Sequence, residues 1–95
     1  MNVDRATLLA AMREEHEFPG QYPFVVIARN TPDVYLRLLA AVEAEQDGHP
    51  FELSIRESSA KNYISYRLQI FVNDAEIALE KKMTLQGIPG VVMVL

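Results

Sequence analysis

Apolar and polar positions along this chain change period several times, and each change marks an element. Between Asp4 and Glu15, Leu8, Leu9 and Met12 stand among charges at helical spacing, which predicts a short amphipathic helix ahead of the main domain. Phe18-Pro19-Gly20 ends it. Tyr22 to Arg29 is a β-branched and aromatic run, apolar at odd and even positions alike, the pattern of a central strand buried on both sides. Asn30-Thr31-Pro32 offers a hydroxyl cap and then proline at the first helical position. Val34, Tyr35, Leu38, Leu39 and Val42 form the stripe of that helix, which stops near Asp47-Gly48. Phe51, Leu53 and Ile55 alternate with Glu52, Ser54 and Arg56. After a serine-rich loop, Ile64, Tyr66, Leu68, Ile70 and Val72 alternate on a longer strand, so the two predict a hairpin. Asn73-Asp74-Ala75-Glu76 has the form of a capping box, with Asn73 as the cap, and opens a helix through about Gln86 that Gly87 stops. Val91 to Leu95 is the last strand.

After the N-terminal helix the order is therefore β-α-β-β-α-β. Both split crossovers must be right-handed, so the expected fold is an α+β ferredoxin-like sandwich, an antiparallel sheet in strand order 4-1-3-2 with both main helices on one face. Residues 1–17 form the helical extension and 18–95 the domain. This topology gathers the loops at Arg29 to Pro32, Ser58 to Asn62 and Gly87 to Gly90 at one end of the sheet, where a site is expected.

Composition narrows the function classes. With 95 residues the chain builds one modest core, burying about 60 to 65% of the surface its unfolded form exposes. Cysteine is absent, which excludes disulfides, thiolate metal sites and a cysteine nucleophile and is compatible with a reducing, cytoplasmic setting. The apolar runs are too short for a membrane span, and Met1 to Pro19 is charged where a secretory signal would be apolar. A net charge of -4 argues against a surface made to neutralise many phosphates. His16, among Glu14, Glu15 and Glu17, and His49, before the second strand, share no metal-ligand spacing; both read as solvated. Lys81-Lys82 reads as a solvated helix face, and Met12, Met83 and Leu85 as core or cover. No cofactor is implied.

Phe18-Pro19, Phe24-Val25-Val26-Ile27, Ser58-Ser59 with Asn62-Tyr63 and Ser65, and Val91 with Met93-Val94-Leu95 together resemble the YbeD-like family of small bacterial proteins of unknown function, over roughly residues 17–95. The resemblance implies a ferredoxin-like fold similar to the ACT regulatory domains of amino-acid biosynthetic enzymes, and with it a regulatory or ligand-sensing role. This chain departs from the family pattern at several positions. Ala60-Lys61 stands where a lysine and a glycine are usual, Val25 and Ala28 replace a lysine and a glycine of the first strand, and Val92 replaces a basic residue of the last. The glycine missing from the loop removes the easy route to positive φ that a backbone anion nest would use.

Two expectations for function follow, neither of them catalytic. One is a small anionic metabolite held at the shared loop end by Arg29, Asn30, Thr31, Ser58, Ser59, Lys61 and Asn62, with the free amides of the helix that follows Thr31. The other is an interaction module, a homodimer or an adaptor for another protein. It would use the sheet face turned away from the helices, on which Tyr63, Ser65, Arg67, Gln69 and Phe71 lie with apolar side chains of the first and last strands, unless the N-terminal helix covers it. A third reading, RNA binding, comes from the topology shared with RNA-recognition motifs. Lys61 to Ser65 is similar to the start of their third-strand motif, but Arg67 and Gln69 stand where stacking aromatics are required. Arg29-Asn30 superficially fits the arginine of acylphosphatases, yet the glycine-rich cradle is missing.

Overall fold

In the computed structural model, which describes residues 4–57 and 62–95, the elements run α1 (Arg5–Glu15), β1 (Gly20–Arg29), α2 (Pro32–Gln46), β2 (Phe51–Glu57), β3 (Tyr63–Val72), α3 (Ala75–Gln86) and β4 (Val91–Val94). The four strands form one antiparallel sheet in the order β2-β3-β1-β4, which is the expected 4-1-3-2 read from the other edge. β1 and β3 pair along their full length, from Gly20 opposite Val72 to Arg29 opposite Tyr63. Leu95 extends β4, exchanging both backbone hydrogen bonds with Val25 at 2.8 and 3.0 Å.

Alternation on the strands decides which side is core. Phe24, Val26 and Ala28 of β1, and Ile64, Tyr66, Leu68, Ile70 and Val72 of β3, are buried under the helices with Val34, Leu38 and Val42 of α2 and Ala78 and Leu85 of α3. Each large aliphatic side chain in this cluster contributes about 1.5–3 kcal/mol by leaving water. The odd positions of β1 face the other way. Val25 and Ile27 are only half-buried there, so the central strand is buried on its helix side alone. The molecule is a two-layer slab of 37 × 37 × 20 Å.

α1 joins the helix layer rather than the open side. Asp4 caps it, accepting from the Thr7 amide at 2.8 Å. Leu9 is buried, Met12 packs on the core, and Arg13 bonds Asp74 at 3.0 Å beside α3. Leu8, expected on the apolar stripe, is exposed because a single face of α1 touches the domain. Asp74, not Asn73, caps α3. Its backbone is extended and its carboxylate accepts from the Glu76 amide at 3.3 Å, a position that the Arg13 contact also favours.

Gln46, on the last turn of α2, is 2% exposed. β2 begins at Phe51 opposite Ile70, and the Gln46 amide continues its ladder by one step: the Phe71 amide donates to Oε1 at 3.1 Å and Nε2 donates to the Phe71 carbonyl at 3.3 Å. Lys81 is buried rather than solvated. Its stem packs between α2 and α3, while Nζ donates to the Glu45 carbonyl at 2.9 Å and lies 3.5 Å from the Glu45 carboxylate. Met83 is the reverse case, exposed on the outer face of α3 and neither core nor cover.

Candidate functional site: a loop cleft and an open sheet face

The end of the sheet where the site was expected is assembled by backbone bonds. The Asn30 amide donates to the Asn62 carbonyl at 2.9 Å and the Arg29 amide to the Gly90 carbonyl at 2.8 Å, which ties the loops after β1, before β3 and before β4 together. Gly90 has φ +96°, and a Cβ there would fall 2.3 Å from Val34 Cγ2, so this loop presses directly on the first turn of α2. Arg29, Asn30, Thr31, Asn62 and Tyr63 line a cleft of about 340 Å³. Arg29 makes no ion pair among the described residues. Ser58, Ser59 and Lys61, the other expected ligand-binding residues, lie outside the described residues.

The start of α2 already holds an anion of its own. Thr31 occupies the cap position, but its side chain makes no capping bond. The Thr31 hydroxyl instead faces the Asp33 carboxyl and, with Arg37 and the adjacent amides, holds it below the ordinary carboxylate range. Asp33 and Arg37 are paired at 3.2 Å. A carboxylate in the first turn answers the helix dipole and the unpaired amides, which are what an incoming anion would otherwise use. On the helix side of the same end, a groove of about 380 Å³ runs beside α2 between Tyr35 and Tyr66, whose rings lie 5.7 Å apart, and reaches Leu53 and Ile55 of β2. Ile55 is exposed along this groove.

The second expected surface is a continuous face. Register places Ser54, Arg67, Val25 and Leu95 in one row across the sheet, and Ser65, Ile27 and Met93 in the next. Glu52, Gln69 and Pro23 form a third, and Phe71 lies opposite Gln21 beyond it. Tyr63, Ser65, Arg67, Gln69 and Phe71 thus all lie on this face. The face is divided. The middle of the β1 and β4 side is apolar, with Met93 46% and Leu95 61% exposed beside Val25 and Ile27, while β3 and β2 present Ser65, Arg67, Gln69, Ser54 and Glu52 between the aromatic Tyr63 and Phe71.

His16 serves packing, which the sequence alone did not indicate, whereas His49 is exposed as expected. His16 is half-buried with its ring 4.6 Å from that of Tyr22, and His49 stacks on Phe71 at 5.1 Å. Among the described residues no three His, Asp or Glu side chains converge as a metal site would need. Among the described residues no helix is long and apolar enough to cross a membrane.

Comparison with known proteins places the fold. The profile of a family described as a protein of unknown function (DUF493) matches residues 13–95. The chain is similar to protein HP0495 from H. pylori in a solution structure, with TM-score 0.69 and 20% identity over 84% of this chain and 85% of that one. It is also similar to the ACT domain from GTP pyrophosphokinase of Chlorobium tepidum, with TM-score 0.57 and 14% identity over 79% and 94%. The C-terminal domain of the MgtC protein from Mycobacterium tuberculosis gives TM-score 0.57 and 20% identity over 84% and 87%. At these identities the likeness is one of fold. No curated protein matches the sequence.

Proposed function

The chain belongs to the DUF493 family of proteins of unknown function, and on that premise we propose that it is a regulatory or adaptor domain that works by docking a protein on its open sheet face, without catalysis of its own. One observation carries this reading. The apolar part of the face stays uncovered, with Met93 and Leu95 exposed and Val25 and Ile27 half-buried, although the chain has a helix to spare, because α1 docks on the opposite layer beside α3. A solvated face of an antiparallel sheet is ordinarily polar at alternate positions, so a clustered apolar half asks for a cover. The likeness to an ACT domain, in that protein a part of a GTP pyrophosphokinase, fits a domain that serves other proteins.

A photoreactive residue replacing Leu95 in the cell tests this, with the same residue replacing Leu36 on α2 as the control. Both positions are 61% exposed, on opposite layers of the slab. Covalent protein adducts are expected from position 95 and not from position 36. Adducts equal at the two positions, or none at 95, would overturn the docking reading.

The cleft beside Arg29 favours a second reading, a small anionic metabolite bound at the loop end, because a guanidinium with no ion pair among the described residues faces the polar groups of Thr31, Asn62 and Tyr63 there. A thermal-shift screen with inorganic phosphate and simple carboxylates checks it. A ligand at about 100 times its Kd adds about 2.7 kcal/mol. The reading requires a rise in midpoint that the Arg29→Ala and Lys61→Ala double variant loses; a response unchanged in that variant rules it out.

A further inference from the structure

We infer that the groove beside α2 is a binding site for a small uncharged molecule, one with an apolar body and a carbonyl-type acceptor that meets the Tyr66 hydroxyl. This site is separate from the open sheet face and does not depend on the docking reading. Tyr66 belongs to β3, with Val26 opposite it on one side and Ile55 of the edge strand β2 on the other. The residue is 4% exposed and packs in the core, yet its hydroxyl makes no hydrogen bond among the described residues. Among those residues no side-chain polar atom sealed from solvent lacks a partner, so the Tyr66 hydroxyl ends at the groove wall rather than inside the core. A phenylalanine would fill the same space without drawing a hydroxyl out of bulk water.

The walls define what that hydroxyl can receive. Pro32, Tyr35, Leu53, Ile55 and Ile64 line the groove with it, and its volume of about 380 Å³ falls in the range of roughly 300–1,000 Å³ usual for small-molecule sites. The Tyr35 ring stands 5.7 Å from that of Tyr66, and its hydroxyl is equally without a hydrogen bond among the described residues. Water along these apolar walls finds few of the two to four polar partners that would hold it, so an apolar body displaces it with a gain. Burial, with the Tyr35 phenol adding to it, raises Tyr66 above the ordinary phenol range, so at neutral pH the hydroxyl keeps its proton and donates. No charged side chain lines the groove among the described residues, and an ion entering it would leave water without a counter-charge. The walls therefore select a neutral molecule, and the donor selects a ketone, ester or amide oxygen. The cleft beside Arg29 shares Asn30 and Thr31 with this groove but has the opposite preference, for an anion. Ile55, 62% exposed in the free protein, gains a cover when the groove is filled.

Acetophenone, which carries the acceptor, and benzoate, which carries a charge in its place, are titrated into the full chain while the methyl signals of Ile55 and Ile64 and the ring signals of Tyr66 are followed by NMR. Acetophenone is expected to shift all three saturably with a Kd of about a millimolar, as suits so small a compound. No saturable shift at these residues up to its solubility limit would overturn the site. Benzoate is expected to bind there about tenfold more weakly or not at all, and equal affinity would overturn the uncharged class. Tyr66→Phe keeps the ring and removes the donor. Its affinity for acetophenone is expected to fall about five- to tenfold, while the unfolding midpoint of the free protein stays level or rises, since no bond within the protein is lost. An unchanged affinity, or a midpoint several degrees lower, would show that the hydroxyl serves the fold and overturn its assignment. Ile55→Asp, at an exposed position, is expected to abolish the shifts at Ile64 and Tyr66 with an unchanged far-ultraviolet spectrum. Shifts that persist in this variant would place the compound elsewhere and overturn the groove as its site.

Discussion

Replacing Gln46 by Leu tests whether this side chain serves as a one-residue extension of β2. Leu has nearly the same volume and suits a site that is 2% exposed, so the change removes polar pairing with little loss of packing. Two neutral hydrogen bonds disappear, and the Phe71 N–H and C=O are left without these partners on the side where β2 has not yet begun. Net losses of about 0.5–1.5 kcal/mol per bond, or up to about 3 for a group left dry, give an expected destabilisation of about 2–3 kcal/mol. For a domain of this size that lowers the unfolding midpoint by about 10–20 °C. Gln46→Glu separates pairing from packing. Its carboxylate still accepts from the Phe71 amide but sets a negative oxygen against the Phe71 carbonyl, so the variant is expected to be weaker than Gln46→Leu at neutral pH. The carboxyl's folded-state pKa is thereby raised, and the sign follows: the deficit shrinks as pH falls and the protonated group donates again, and grows as pH rises through that pKa. Urea and thermal unfolding followed by circular dichroism, with amide exchange at Phe71, measure all three chains. Gln46→Leu within about 0.5 kcal/mol of wild type, or Gln46→Glu no weaker than it at pH 7, would refute the reasoning.

Gly90→Ala is expected to cost about 2–4 kcal/mol, since its Cβ meets Val34 at a positive φ, whereas Gly48→Ala, with φ +88° and nothing within 4 Å, is expected to lose only about 1 kcal/mol. Equal losses in denaturant unfolding would contradict the close approach of the loop to α2. The Arg13 guanidinium, followed by the Glu76 amide, holds the Asp74 carboxyl below its ordinary range. A depressed carboxyl contributes stability above its unfolded pKa of about 3.9 and loses it as pH falls through the lowered value, so Leu9 methyl shifts should report undocking of α1 in that acid window. Arg13→Gln is expected to abolish this step; the same acid transition in both proteins would show that the pair does not dock the helix. Lys81→Met is expected to stay within about 0.5 kcal/mol of wild type while Lys81→Ala loses about 1–2 kcal/mol, because the buried stem matters more than the charge. Thermal unfolding of the two variants compares them, and equal losses would assign the role to the ammonium.

Periodicity carried the sheet because its signals are local and repeat. Ile64 to Val72 alternates without a break, and β3, like β1, pairs on both sides. Chain order and crossover handedness then left one arrangement of strands. What failed were decisions that depend on a neighbour distant in sequence. Asn73 and Asp74 are equally good caps in isolation, and Arg13, sixty-one positions away from Asp74, enters only when α1 docks. Lys81 looks like any helix lysine until the carbonyl of Glu45 arrives beside it. Gln46 carries no local mark at all, since its role depends on where β2 begins.

The candidate surface shows the same division between local and distant causes. Alternation placed Tyr63 to Phe71 on the open face, and the apolar character of the first and last strands on both sides was visible in their composition. That β1 and β4 are neighbours, so that this character accumulates on one half, is a consequence of topology. That the half remains uncovered follows from where α1 goes, which Leu9, Met12 and the Arg13–Asp74 pair decide together. The loop end went the other way. Of the residues expected there, Arg29, Asn30, Thr31 and Asn62 line one cleft, and Asp33 brings the helix start a carboxylate from within the chain. An acidic domain whose anion-attracting helix start is already answered, and whose largest unanswered demand is apolar, is better suited to bury its sheet against protein than to gather phosphates or nucleic acid.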